Sequence, residues 1–176
     1  MIPKGKGRRE TAEAYRTLML LPAIGKIFEK CILKRIEQRN EECISKKQYG
    51  FRKGRSCGDC ITTVVQNLEK MRNSSKIAAA ISLDIKWAFD HLEWGSLKKG
   101  VYSNYPRCYA NVINSYLSDR KIKYHSATAT LERGCPQSGV LSGSIWNLGY
   151  NPVLKFLEKK LAVSYTHLTL PTIYSV

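Results

Sequence analysis

An aspartate lies at the end of the most apolar stretch of the sequence. Residues 77–85 form a nearly continuous apolar run that ends on Asp84 and Ile85, and Asp90 follows six positions after Asp84. The run predicts a strand buried on both faces, where a carboxylate is costly unless it is paired or binds a cation. A divalent metal ion would compensate Asp84, and so would a salt bridge with Lys86 or a distant arginine. For Asp90, a turn or a helix N-cap is the favoured role.

Cations and glycines alternate over residues 48–56 (QYGFRKGRS), directly before a predicted helix. Arg52 and Arg55 offer forked donors, glycine allows close approach of the backbone, and the helix N-terminus adds partial positive charge. These features suit a triphosphate. The spacing of a Walker A loop is absent, and a solvated basic loop is the alternative interpretation.

A tight turn opens the last predicted helix. Residues 133–143 read RGCPQSGVLSG and place Gln137 at the corner of the turn, among small residues. Small side chains there would let a flat ligand or a nucleic-acid strand pack against the backbone. A plain connection between a strand and a helix explains the pattern equally well.

The charge balance favours a polyanionic partner. The chain has 176 residues, of which 43% are apolar, enough for one domain with a hydrophobic core. Lysine and arginine number 29 against 14 acidic residues, which gives a formal net charge of +15. The basic residues are spread along most of the chain. Because each neutralised phosphate releases condensed counterions, such a chain is expected to bind a polyanion.

Membrane and secretion signals are not evident in the sequence. No apolar run approaches the ~20 residues that a membrane-spanning helix needs, so no membrane partner is expected. The six cysteines are irregularly spaced, and no second pair completes a zinc site with Cys57 and Cys60. We therefore expect reduced thiols in an intracellular protein of the cytoplasm and nucleus, not a secreted one. The oligomeric state is open.

The apolar periodicity predicts a mixed α and β fold in which helices surround a small sheet. Helices are expected over residues 22–39, over an amphipathic stretch from Ile61 to Met71, and over residues 94–102, 106–117 and 141–161. Pro152 should kink the last helix or restart it. Residues 121–125 and 128–133 predict the two strands of a hairpin.

Taken in order, these segments resemble the reverse transcriptase domain of non-LTR (LINE-type) retrotransposons. Residues 48–56 are similar to the fingers motif of that family, residues 84–90 to palm motif A and residues 134–137 (GCPQ) to motif B. The other matching segments are residues 2–6 (IPKGK), 15–22 (YRTLMLLP) and 25–30 (GKIFEK). Each segment alone is weak evidence, whereas their collinear order across almost all of residues 1–161 is specific.

The resemblance implies an RNA-directed DNA polymerase that adds deoxynucleoside triphosphates to a DNA primer on an RNA template. The implied fold is α+β, with the fingers and part of the palm of a right-hand polymerase. Asp84 would be the first of the catalytic, metal-binding aspartates, and Ile85 would offer its backbone carbonyl to a metal. In a complete family member, two Mg²⁺ ions stabilise the attacking 3′-oxygen and the leaving pyrophosphate.

The resemblance also implies four nucleotide-binding residues. Arg52 and Arg55 would hold the triphosphate. Phe89, five positions after Asp84, would be the ring that blocks a ribose 2′-OH and so selects deoxynucleotides. Gln137 would contact the incoming nucleotide and the template.

Three positions depart from the family pattern. Members of the family usually have proline where Thr17 stands, a small residue where Trp87 stands and glycine where Ser138 stands. A large ring near the metal-binding strand and extra bulk beside a bound nucleotide indicate a decayed copy of the element, or an error in the sequence.

The motif with paired aspartates that the family requires, [FY]xDD, is missing. The sequence has no Asp-Asp pair, and no aspartate follows Asp119. We therefore expect residues 1–162 to be a fragment with the fingers and the first half of the palm, without the thumb. Residues 163–176 (VSYTHLTLPTIYSV) look like the translation of a sequencing-library adapter and are expected to be a non-native tail.

Two other interpretations remain open at this point. One is a non-catalytic basic module that binds RNA or DNA, in which Asp84→Ala would leave RNA binding unchanged or tighten it. In an enzyme, the same change would abolish the activity of a full-length parent without weakening RNA binding. The other is a group II intron maturase, which shares the GFRxGRS segment, although the flanking IPK and GKIFEK segments favour the retrotransposon.

The absence of the paired aspartates predicts that this polypeptide does not extend a primer by itself. A two-metal site with one of its aspartates cannot hold both ions. Incubation of the purified chain with an RNA template, a labelled DNA primer, deoxynucleotides and Mg²⁺ should give no elongated product. Mg²⁺-dependent extension above background would contradict this prediction.

Overall fold

The computed structural model of the chain describes residues 2–3, 15–16, 21–75, 77 and 81–160. Within these residues, five helices and two antiparallel strand pairs give a helix-rich, mixed α and β fold, as the sequence predicts. In chain order the elements are β1 (Ile2–Pro3), β2 (Tyr15–Arg16), α1 (Ala23–Cys43), α2 (Cys57–Asn73), α3 (Trp94–Asn104), α4 (Arg107–Leu117), β3 (Lys121–Tyr124), β4 (Ala127–Thr130) and α5 (Ser142–Lys160). β1 pairs with β2, and β3 pairs with β4.

The hydrophobic core lies where α1, α3, α4 and α5 meet. α3 packs against both α4 and α5. The side chains at the centre of this core are fully buried: Ile36, Leu97, Ile113, Leu117, Leu141 and Ile145. The predicted helices that carry these residues are confirmed, with ends shifted by a few residues. The core therefore fixes the position of α5 relative to α1 and α3. The segments of chemical interest are the loop after α1, the turn before α3 and the loop before α5.

The buried face of α1 differs from the one that the apolar pattern predicts. Glu29, Ile32, Ile36 and Asn40 are buried, at the three- and four-residue spacing of one helix face. By contrast, Ile24 is 81% exposed, and Ile27 and Phe28 are also exposed. The helix is confirmed but extends to Cys43, and two of its four buried positions are polar.

The start of α2 is fixed by a capping box. The Ser56 side chain accepts a hydrogen bond from the Asp59 amide at 3.1 Å, and the Asp59 carboxylate accepts one from the Ser56 amide at 2.7 Å. These bonds satisfy two amides that a helix N-terminus leaves without partners. The predicted apolar face of α2 is largely exposed: Ile61, Val65 and Leu68 are exposed, Val64 and Met71 are partly buried, and Cys60 is the buried residue of the helix.

The buried strand predicted over residues 77–85 is wrong for the described part of that run. Residues 81–85 form no strand, Ile77 is exposed, and Ile81 and Leu83 are 83% and 79% exposed. A strand needs a neighbour that accepts and donates its backbone hydrogen bonds, and no described strand lies beside these residues. An apolar run shows that a segment favours burial, but it does not supply the partner.

The hairpin and the last helix follow the prediction with two differences. β3 and β4 are shorter than predicted and are joined by a turn in which His125 has a φ of 51°. α5 continues through Pro152 without restarting. Pro152 lies on the exposed face of α5.

Three further predictions concern membrane spans, the cysteines and the C-terminal tail. None of the described helices is long and apolar enough to cross a membrane. All six cysteines are free, with Cys60 and Cys135 buried and Cys31 and Cys108 exposed. The predicted adapter-derived tail lies outside the described residues.

Candidate functional site

The turn after the apolar run and the loop before α5 are joined through their backbones. The Gly134 amide donates to the Leu92 carbonyl at 2.8 Å, and the Cys135 amide donates to the Phe89 carbonyl at 2.8 Å. The Trp94 indole Nε1 donates to the Gly134 carbonyl at 2.7 Å. The segments that resemble motifs A and B therefore lie side by side, although more than forty residues separate Gly134 from Phe89 in the sequence.

Glycine is required at position 134 for two reasons. Its φ is 88°, in the left-handed region that other residues rarely adopt. A Cβ atom there would lie 2.9 Å from the Asp90 carbonyl oxygen and 3.1 Å from that of Phe89. The close approach of the two backbones therefore depends on the absence of a side chain.

Gln137 is held by Asp90. The Gln137 Nε2 lies 3.2 Å from each carboxylate oxygen of Asp90. Of the two roles predicted for Asp90, a turn residue and a helix N-cap, the structure shows the turn. The N-cap of α3 is Glu93. Trp87, in the same turn, has a φ of 55°. A bulky residue is disfavoured in that conformation, which gives a physical reason for the small residue usual at this position.

A buried carboxylate orients the start of α5. Glu29, which is 1% exposed, accepts hydrogen bonds from the Val140 amide at 2.6 Å, from the Leu141 amide at 3.4 Å and from the Tyr116 hydroxyl. Burial, and then the bond to Glu29, raises the pKa of Tyr116 above its ordinary value. Glu29 thereby joins α1 and α4 to the loop that carries Gln137.

Two asparagines on one face of α5 bind the loop that follows α1. Asn147 Nδ2 donates to the Gly50 carbonyl at 2.9 Å and to the Phe51 carbonyl at 3.3 Å, and its Oδ1 accepts from Gln48 Nε2 at 2.8 Å. Asn151, one turn further along, accepts from the Ser45 amide at 2.9 Å and donates to the Cys43 carbonyl at 2.9 Å. The loop that resembles the fingers motif is therefore fixed to the helix after motif B.

The Arg52 guanidinium is bonded to groups of the protein itself. The side chain is 3% exposed and forms a salt bridge with Glu41 through Nε, at 3.1 Å, and Nη2. Nη1 donates to the Ser45 carbonyl at 2.7 Å and to the Gln48 carbonyl at 3.4 Å. The hydrogen bond from Arg52 lowers the pKa of Glu41. The guanidinium therefore joins this loop to the end of α1.

The Arg55 side chain has partners different from those of Arg52. Its Nη1 donates to the Lys46 carbonyl, and its guanidinium lies over the Tyr49 ring, 5.4 Å from the ring centroid. The triphosphate role predicted for the two arginines stays a prediction, and the structure gives both of them partners within the protein.

One cavity of about 620 Å³ lies where the three segments meet. Arg52, Phe89 and Gln137 line it, so the structure brings together three of the residues that the sequence singles out. Among the other lining residues are Phe51, Lys53, Glu41, Val140, Ser142 and Gly143. Arg55, Asp84 and Ile85 do not line it, and Ile85 lies on a separate cavity of about 270 Å³.

Asp84 is exposed to solvent. The physical premise for a metal at Asp84, a carboxylate buried at the end of a strand, is therefore wrong, and the metal role rests on the family resemblance alone. Among the described residues, no group of three His, Cys, Asp or Glu side chains could hold a metal ion. These residues do not fit a two-metal site.

Sequence reasoning missed three residues that build the site: Glu29, Phe51 and Asn147. A signal for Glu29 was present, since it lies three positions before Ile32 and seven before Ile36, on the face of α1 that is buried. For Asn147 the signal was its four-residue spacing from Asn151 on a helix of the core. Phe51 lies inside the fingers motif, but the interpretation of that motif considered only its arginines and glycines.

Comparison with known proteins identifies the family. Residues 2–169 match the family described as reverse transcriptase (RNA-dependent DNA polymerase). The chain belongs to the reverse transcriptase family. In this reverse transcriptase chain, the turn that contains Phe89 resembles motif A, and the loop that contains Gly134 resembles motif B.

Curated relatives of this reverse transcriptase chain come from retrotransposons. It is 33% identical over 156 residues to a Drosophila melanogaster protein named probable RNA-directed DNA polymerase from transposon X-element. It is 32% identical over 158 residues to the RNA-directed DNA polymerase from mobile element jockey of the same species. Each match covers 84% of the chain and 17% of the relative. These relatives confirm the predicted resemblance to non-LTR elements, and the chain spans about a sixth of their length.

We expect Gly134→Ala to destabilise the fold more than Gly54→Ala does. Gly54 also has a positive φ, 70°, but a Cβ there would meet nothing within 4 Å. Both changes add backbone strain of about 1–3 kcal/mol, whereas the contact with the turn at Asp90 adds roughly 1–3 kcal/mol at Gly134 alone. Urea denaturation followed by circular dichroism measures the difference, and equal losses would show that the two segments are not in close contact.

Glu29→Gln should lower the free energy of unfolding by about 2 kcal/mol, because hydrogen bonds to a charged acceptor contribute about 1.5–3 kcal/mol. The amide keeps one acceptor oxygen and places a donor at the other position, where it faces either the Val140 and Leu141 amides or the Tyr116 hydroxyl. The exposed Glu69 on α2 provides the control, and Glu69→Gln should change stability by less than about 0.5 kcal/mol. Similar urea midpoints for the two variants would argue against a structural role for Glu29.

Proposed function

We propose that this chain is the nucleotide-binding part of an RNA-directed DNA polymerase, comprising the fingers and the first half of the palm. The observation that carries the proposal is the single cavity where the loop after α1, the turn after residues 81–85 and the loop before α5 meet. In the family resemblance, these three segments are the fingers motif, motif A and motif B. A well-formed cavity with a few convergent polar groups is the default hypothesis for a ligand site in an uncharacterised structure.

The side chains at the cavity suit a deoxynucleoside triphosphate. Phe89 is half-buried and presents a ring to the cavity, as a residue that excludes a 2′-OH must do. Gln137 is oriented by Asp90 and can offer its carbonyl oxygen to a base. The exposed Lys53 supplies a cation at the cavity and is the cation that we propose meets the triphosphate, since Arg52 is engaged by Glu41.

Members of the family generally use divalent metal ions. The described residues supply only Asp84 and the Ile85 carbonyl from the predicted metal site, and Asp84 is exposed. The chain's own contribution is to bind and orient the nucleotide.

The net charge of +15 favours an RNA template and a DNA primer as partners. The same charge supports a second candidate function, a basic module that binds nucleic acid without any nucleotide site. The two candidates share a salt-dependent affinity for nucleic acid and differ in whether the cavity binds a deoxynucleotide.

Calorimetric titration of the purified chain with dATP in the presence of Mg²⁺ tests the proposal. We expect saturable binding that Lys53→Ala weakens about tenfold, because a charged contact to phosphate is lost. Lys99→Ala, on an exposed position of α3 outside the cavity, removes the same charge and should leave dATP affinity within about twofold, since exposed charges interact weakly.

RNA binding, measured in parallel by fluorescence anisotropy, separates the candidates. Equal effects of the two lysine changes on RNA affinity, together with no saturable dATP binding, would favour the basic module and overturn the nucleotide site.

A further inference from the structure

Phe51 has an unusual backbone conformation for an aromatic residue. Its φ is 54°, in the left-handed region that bulky side chains rarely adopt. Asn147, with its hydrogen bonds to the Gly50 and Phe51 carbonyls, holds the backbone there. Strained backbone persists only where the surrounding structure imposes it, and it clusters at functional sites.

The conformation places the Phe51 ring directly against α5. A Cβ atom on Gly143 would lie 2.6 Å from the nearest ring carbon of Phe51 and 2.9 Å from its Cβ. The ring therefore occupies the space that any side chain at position 143 would fill. Although Phe51 is 39% exposed, its ring is confined on this side by the helix.

The ring of Phe51 meets the ring of Phe89 edge to face. Their centroids are 5.8 Å apart and the rings are nearly perpendicular, at 89°, which is a favourable geometry for two aromatic rings. Phe89 also packs on Trp146, with centroids 5.7 Å apart and an angle of 32°. Phe89 is thus held between two rings, one from the loop after α1 and one from α5.

We propose that Phe51 is a positioning residue that fixes the Phe89 ring in the cavity and so sets its preference for deoxynucleotides over ribonucleotides. This inference rests on the proposed function. Both residues line the same cavity, and the edge-to-face contact with the Phe51 ring restrains the Phe89 ring. A Phe89 ring that is free to turn excludes a 2′-OH less well.

The test compares the dissociation constants of dATP and ATP for the purified chain by calorimetry with Mg²⁺. The wild-type chain should prefer dATP. Phe51→Ala should reduce the ATP-to-dATP ratio of dissociation constants roughly three- to tenfold, the size of the coupling between one aromatic pair, because ATP binding strengthens relative to dATP binding. Phe51→Tyr keeps the ring and should retain the wild-type ratio.

Two further variants serve as controls. Phe156→Ala removes a 59% exposed ring on α5 that does not line the cavity and should leave the ratio unchanged. Phe51→Leu keeps most of the volume without an aromatic edge, and it should lower the ratio as Phe51→Ala does. If Phe51→Ala does not fold, as judged by circular dichroism, Phe51→Leu decides the question.

The outcomes separate this inference from the function on which it rests. A wild-type chain that binds neither nucleotide overturns the proposed function, and the inference with it. A wild-type chain that prefers dATP, with an unchanged ratio in the alanine or leucine variant, overturns only the positioning role of Phe51. Equal weakening of both nucleotides by Phe51→Ala would show a general structural role and would also overturn it.

Discussion

Buried polar groups on a loop must find hydrogen-bond partners, and in this chain one helix supplies them. The loop after α1 lies against the core, and its carbonyl and amide groups are bound by Asn147 and Asn151 of α5. An unsatisfied buried group would cost about 1–3 kcal/mol, so the loop has one favourable position. The cavity depends on this arrangement, because the loop carries Phe51, Arg52 and Lys53, which line the cavity.

The other wall of the cavity depends on backbone packing. Gly134 allows the loop before α5 to lie directly on the turn that contains Phe89, and Glu29 holds the next residues of that loop from the opposite side. Side-chain amides fix one wall and a glycine contact fixes the other. The two walls of the cavity are thus held by different interactions. A single substitution would therefore remove the support of one wall and not of both.

The sequence predicted local elements better than it predicted their environment. Helices and the hairpin follow from periodicity and capping residues, which are local, and their ends were close to the observed ones. Phe89, Gln137 and Arg52 were identified through motif order, and the cavity brings them together. The salt bridge that occupies Arg52 was not predictable, because Glu41 lies beyond residue 39, where the predicted helix ended, in the additional turn of α1. The exposure of Asp84 was missed because an apolar run indicates burial without specifying a partner.

The uncovered run around Leu83 has a consequence for the behaviour of the chain in solution. Extended segments rich in isoleucine and leucine, with backbone donors and acceptors not engaged in a sheet, can pair with the same segment of another molecule. The segment of residues 81–85 lies in no strand among the described residues and exposes Ile81 and Leu83. At high concentration it favours aggregation through intermolecular strand pairing, and in a cell it is the kind of surface that chaperones bind.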